Sequence, residues 1–220
     1  MKKLITCVAL AALCAATAAS AAKPPPKRTP ILAAKNAAWV CKALRTTMGT
    51  QAFLKAYGRN GAHGVGAMRN AFGKCVSQKA RLMSHAGLFE AATGTLTAAA
   101  PVGTHQAVTL TATIVGVRPI ASGSLAGALS VDLGMKVTKA GVTCAPATGM
   151  LTLTQASPAG TLQKTLTSAT YCTGSTGAAL VGKYTLTGTG AFAGKTGTGN
   201  EVVLAPTGGS AHSVEWGSIS

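Results

Sequence analysis

The chain has 220 residues, with 20 Lys and Arg set against only four carboxylates, Glu90, Asp132, Glu201 and Glu215, for a formal net charge of +16. Apolar residues at 47% can fill the core of one medium domain or two small ones, and 11% charged residues is far from the composition of most disordered chains. So few carboxylates argue against a calcium cage or a two-metal centre, and 4% aromatics argue against a base- or sugar-stacking platform.

The N-terminus reads as an export signal. Lys2 and Lys3 precede an apolar run from Leu4 to Ala19, and Ala19-Ser20-Ala21 supplies the small-x-small pattern of a cleavage site. Residues 1–21 are therefore predicted to be a signal peptide cleaved near Ala21. The mature chain is expected to be secreted or envelope-associated, with no transmembrane segment. Ala11-Ala12-Leu13 before Cys14 does not make a lipobox.

Four cysteines remain after that cleavage: Cys41, Cys75, Cys144 and Cys172. An even number in an exported protein predicts disulfides. Three connectivities are open. Chain order, and a change of structure type near residue 90, favour Cys41–Cys75 and Cys144–Cys172. A metal site is the rival reading, but the four are far apart and form no CxxC pair.

Residues 22–35 read as a basic, Pro-rich linker, and 36–89 as a helical module. Asn36 is placed as the cap of a helix over 37–48, with Ala37, Val40, Cys41, Leu44 and Met48 on one face. A second helix covers about 51–57, GRNGAHGVG at 58–66 reads as a loop, and a third helix covers about 67–84. On the third, Met68, Phe72, Cys75, Val76, Leu82 and Met83 form the apolar stripe, interrupted by Gly73 and Lys79, so that either Lys79 snorkels out of it or the helix bends near Gly73.

From Gly94 the apolar period changes from 3.6 to 2. Val108, Leu110, Ala112 and Ile114 alternate with threonines, and Leu125, Leu129, Val131, Leu133, Met135 and Val137 all fall on odd positions. With further segments at 95–99, 150–155, 161–171, 183–188, 200–205 and 213–219, about eight strands are predicted. The fold class is therefore α+β: a small disulfide-stapled helical segment, then an antiparallel all-β domain over 90–220, a barrel in preference to a sandwich because the strands form an unbroken meander.

The segments Asn36-Ala-Ala, Cys41-Lys-Ala, Arg45, Gly49, Phe53, Tyr57-Gly58 and Asn60, followed by Asn70-Ala-Phe-Gly-Lys-Cys75-Val-Ser77, resemble a Cys-paired helical segment of uncharacterised secreted bacterial proteins. The stretch from Tyr184 to Gly199, YTLTGTGAFAGKTGTG, is similar to the strand and Gly-turn pattern of dirigent-like and allene-oxide-cyclase-like barrels. Neither resemblance brings catalytic residues to carry over.

Several motifs read as structure. Gly190-Ala-Phe-Ala-Gly194-Lys195-Thr196 is one residue short of a phosphate loop and is followed by Gly197-Thr-Gly199, so it reads as a turn between strands. His63, His85, His105 and His212 share no metal-ligand spacing, so no metal and no cofactor are expected. A Ser–His–Asp triad assembled from His105 or His212 with Asp132 lacks a GxSxG elbow. Glu201 and Glu215 could converge in a barrel as an acid–base pair, but surface salt bridges to Lys183 or Lys195 are the expected role.

Charge carries the functional signal. Residues 22–89 hold twelve Lys and Arg and no carboxylate, whereas 90–220 hold six against four. Lys42, Arg45, Lys55, Arg59, Arg69, Lys74, Lys79 and Arg81 are the candidate polyanion-binding residues, for an anionic wall polymer, an acidic glycan or a phospholipid surface. Specific nucleic-acid recognition is not expected, because aromatics do not interleave with the basic residues. The expected role is non-enzymatic, with the β-domain as a scaffold or interaction surface. The alternative is a β-domain that encloses a small apolar ligand, as a binding protein or a cyclase-like enzyme, unless Leu129, Leu133, Leu166 and Leu186 fill it.

Overall fold

The computed structural model describes residues 29–58, 64–116 and 118–220. Three helices, α1 (Thr29–Met48), α2 (Thr50–Tyr57) and α3 (Gly64–His85), precede nine strands. These are β1 (Leu88–Ala98), β2 (His105–Val115), β3 (Ser122–Asp132), β4 (Val137–Lys139), β5 (Val142–Gln155), β6 (Gly160–Gly174), β7 (Gly177–Gly190), β8 (Thr196–Pro206) and β9 (Ala211–Ile219). Each strand pairs antiparallel with its neighbours. Pairing of β1 with β9 and of β3 with β5 closes an eight-stranded barrel, and β4 adds a short extra strand on β5.

Strict alternation explains the closure. Along β2, Val108, Leu110 and Ile114 turn inward while Thr109, Thr111 and Thr113 face out, and β3 continues with Leu125, Leu129 and Val131. Leu129, Leu166 and Leu186 are buried in the barrel core and Leu133 packs against it, so leucine side chains occupy the interior. Tyr171, Tyr184 and Phe192 belong to the same core.

Several boundaries differ from the sequence reading, among them the start of α3 at Gly64, inside the segment read as a loop, and of β5 at Val142, ahead of the expected 150. α1 begins at Thr29, so residues 29–35 are helix rather than linker and Asn36 lies inside a helix instead of capping one. Pro30 falls in its first turn, where a residue without an N–H forfeits no helical bond. β1 starts at Leu88, ahead of the Gly94 boundary, because Glu90 breaks the alternation that would have revealed it. The odd-numbered apolar run does not continue as one strand past Asp132. There Asp132 Oδ1 accepts a hydrogen bond from Gly134 N at 2.9 Å, a 3-10 turn follows, and Met135 and Val137 stand exposed.

The helices form two further layers on one side of the barrel. α1 is the inner one, and its Ala33, Ala37, Val40 and Ala43 lie on Ala179, Val202, Val214 and Trp216 from the barrel's outer wall. Small alanines let the helix approach the sheet closely, and its cover accounts for consecutive apolar residues in β8: Val203 points into the barrel and Val202 toward α1. On its other side α1 meets α2 and α3 through Cys41, Phe53, Leu54, Ala71 and Cys75. The disulfide Cys41–Cys75 staples α1 to α3, and Cys144–Cys172 joins directly opposed residues of β5 and β6. Both pairings are the ones favoured by chain order. Arg118 fastens the layers together, its guanidinium donating to the carbonyls of Met83 (3.2 Å) and Ser84 (2.9 Å) at the end of α3, where a cation also suits the helix dipole.

Among the described residues no helix is long and apolar enough to cross a membrane. The disulfides fit an oxidising compartment. The predicted signal peptide, with Cys7 and Cys14, lies outside the described residues.

Candidate functional site

The four carboxylates are distributed in a way the sequence did not suggest. Glu90, Glu201 and Glu215 are 0–1% exposed and share the inward parity of the barrel core on β1, β8 and β9. Register places them abreast, Glu90 opposite Glu215 and Glu215 opposite Glu201. From β6, Lys164 enters the same space, fully buried, with Nζ donating to Glu201 Oε2 and Glu215 Oε2, each at 2.5 Å. Ser213 Oγ donates to Glu201 Oε1, and Ile120 N donates to Glu90 Oε1 at 2.8 Å. The roles expected for Glu201 and Glu215 as surface partners of Lys183 or Lys195 are therefore overturned. Both face inward, because β8 and β9 turn their other, apolar faces to α1.

One ammonium faces two carboxylates, Glu201 and Glu215, in a fully buried site. Burial, and then the negative charge of Glu201, push Glu215 up to about 7 in spite of the opposing attraction of Lys164. Burial lowers Lys164, but attraction to Glu201 and Glu215 outweighs it and the net direction is upward. Tyr184, with Lys164 Nζ 5.2 Å from its ring centre, is raised by burial and by the three glutamates. The lysine is thus held as a cation, ill-suited to act as a nucleophile. The cluster is an internal charge brace spanning β1, β6, β8 and β9.

Lys164 was the residue that sequence reasoning missed. A signal existed: it stands between Leu162 and Leu166 at the inward parity of a strand whose outward positions are polar. Glu215 has the same signature after Ala211 and Ser213, and Glu90 between Leu88 and Ala92.

With the glutamates inside, the exterior keeps its cations. Of the predicted polyanion-binding residues, Lys42 and Arg45 on α1, Lys55 on α2, and Arg69, Lys74 and Arg81 on α3 are exposed. Lys79 is half-buried, with Nζ 5.5 Å from the Trp216 ring centre, and burial lowers its pKa. Arg59 lies outside the described residues. The helical layer contributes no carboxylate, since residues 29–89 contain none. Asp132, the fourth, sits at the barrel rim as the cap of the 3-10 turn.

The remaining motifs resolve as structure. The glycine-rich 190–196 segment is the β7–β8 turn, with Gly190 (φ 61°) and Gly194 (φ 77°) in the left-handed region. His105 and Asp132 do face one another across β2 and β3, but Asp132 spends Oδ1 on the Gly134 cap. His212 stacks on Trp39 with ring centres 4.3 Å apart, and burial together with Lys35 lowers its pKa. His85 is exposed at the end of α3, and His63 lies outside the described residues. No group of three or more His, Cys, Asp or Glu among the described residues is arranged to hold a metal ion. Comparison of the chain with family models, curated proteins and solved structures finds no match.

Proposed function

We propose that this is a non-enzymatic, polyanion-associating protein of an exported or envelope location, in which the helical layer is the working face and the barrel its rigid support. The observation that carries the reading is the sorting of charge: all three glutamates are enclosed with Lys164, while the helical layer presents Lys42, Arg45, Lys55, Arg69, Lys74 and Arg81 with no carboxylate of its own. Such a field concentrates polyanions at low salt and weakens as counterions screen it. An anionic wall polymer or an acidic glycan meets it without a shaped pocket. Two disulfides suit the same setting.

The test is retention of the full chain on an anionic polymer titrated with salt, against the triple variant Arg45→Gln, Arg69→Gln, Lys74→Gln. Log affinity should fall linearly with log salt, and the variant should lose about two to three units of slope if all three side chains meet the polymer, since each neutralised anion contributes about 0.7–0.9. Equal retention of the two proteins at every salt concentration would overturn the reading.

A further inference from the structure

Beside the C-terminal half of α3 runs an open groove of about 610 Å³, bounded by that helix and by β9. Its floor is apolar. Leu82, which the helical period assigned to the buried stripe, is 49% exposed here and lines the groove with Ala86 and the edge of Trp216. The rim is not apolar: Gln78, Arg81 and His85 follow one another at spacings of three and four along α3 and so share one helix face. From Gln78 to Ala86 the lining extends about 12 Å along the helix axis, at roughly 1.5 Å per residue.

We propose that this groove binds a single-chain anionic amphiphile, an alkyl chain ending in a carboxylate or a phosphate. The chain lies along Leu82 and Ala86 over the Trp216 edge, and the head meets Arg81, with Gln78 and His85 as further donors. Three features select that chemistry. A floor made by the exposed Leu82 with Ala86 beside Trp216 suits an alkyl chain better than a compact polar ligand, and its volume falls within the roughly 300–1,000 Å³ of small-molecule sites. The rim is cationic, and no carboxylate in residues 29–89 competes for Arg81. Lys79, with Nζ 5.5 Å from the centre of the same indole, adds positive potential behind the floor. This inference does not depend on polymer binding: Arg81 belongs to both surfaces, but the chain-contacting residues are apolar and Arg45, Arg69 and Lys74 take no part.

Trp216 is a built-in reporter. In a Trp39→Phe background the remaining tryptophan lines the groove, so its emission can be followed while sub-micellar dodecanoate is titrated into the full-length protein. A saturable change is expected, at least tenfold weaker with dodecyltrimethylammonium, which has the same chain and the opposite head, and absent with acetate. Leu82→Asp should abolish the response, and Arg81→Gln should weaken dodecanoate at least fivefold while narrowing the difference between the two heads. Circular dichroism establishes that both variants are folded, and the triple variant Arg45→Gln, Arg69→Gln, Lys74→Gln should keep the full dodecanoate response, so failure here and failure of the polymer reading are separable. Equal responses to the two heads, a response that survives Leu82→Asp, or a response to anionic vesicles but not to monomeric dodecanoate would each overturn the proposal.

Discussion

Lys164 and Glu215 meet at 2.5 Å inside the barrel, from strands that are not neighbours in the sheet. Lys164 reaches across the interior to the wall where Glu215 stands between Glu90 and Glu201, so one side chain from β6 braces the opposite side of the barrel. Removing it leaves the like charges of Glu201 and Glu215 buried without their shared cation. Lys164→Met should cost about 3–5 kcal/mol, the usual penalty for breaking a buried pair from one side. Adding Glu201→Gln and Glu215→Gln to that variant should recover a large part of the loss. Urea unfolding of the three proteins checks both statements.

The same cluster sets a pH dependence. Glu215, facing Lys164, Glu201, Glu90 and Tyr184, holds its proton up to about pH 7 when folded, but releases it near 4.5 when unfolded. Between those values the folded state binds more protons than the unfolded one, so stability falls as pH rises from about 4.5 to about 7. The raised Lys164 acts in the same direction at the alkaline end: its contribution is complete below 10.5 and is lost as pH climbs through the higher folded value. Denaturation midpoints measured from pH 4 to pH 8 should therefore decline for the parent protein. Glu215→Gln should flatten that decline.

Tyr184 hydroxyl is buried with no hydrogen-bond partner among the described residues. It lies over Gly199, where a β-carbon would overlap it. Tyr184→Phe removes an unsatisfied polar atom without changing the ring, and should leave stability unchanged or raise it by about 1 kcal/mol. Gly199→Ala should instead be destabilising by about 1–3 kcal/mol, as expected of overpacking. Calorimetric melting of the two variants tests this contrast of sign.

Cys41–Cys75 closes a loop with a sequence separation of 34. Replacing both cysteines by alanine should cost about 3–4 kcal/mol in the chain-entropy model. Because α1 also packs on the barrel wall through Ala33, Ala37, Val40 and Ala43, the loss should concentrate in α2 and α3. Amide exchange should show those two helices opening while β5–β7 stay protected.

What the sequence conveyed depended on whether local pattern and environment agreed. Along β2 and β3 alternation is uninterrupted, each outward threonine meets solvent, and strand and face follow from the residues alone. Cysteine pairing followed from chain order because the helical layer and the barrel are sequential. Lys164 and Glu90 escaped, and Glu201 and Glu215 were placed at the surface, because a charged residue at an inward position looks like a break in the pattern until its partners, 37 and 51 positions from Lys164 in the case of Glu201 and Glu215, are seen beside it. Leu82 failed for the opposite reason. It keeps the helical period, yet the neighbouring Met83 takes the buried position against α1 and the barrel wall, and Leu82 is left bordering an open groove.

Every pairing around the barrel but one joins strands that are consecutive or separated only by the short segment that holds the 3-10 turn and β4; the exception joins β1 to β9, from opposite ends of the β-region. A growing array of hairpins can thus assemble locally, and the ring shuts in a single long-range event whose entropic cost is the largest in the fold. That event also sets Glu90 against Glu215, already beside Glu201. The order of assembly therefore has an electrostatic latch: the seam closes readily only when Lys164 is in place across the interior or a proton is carried in, which makes mild acid the favourable condition for refolding.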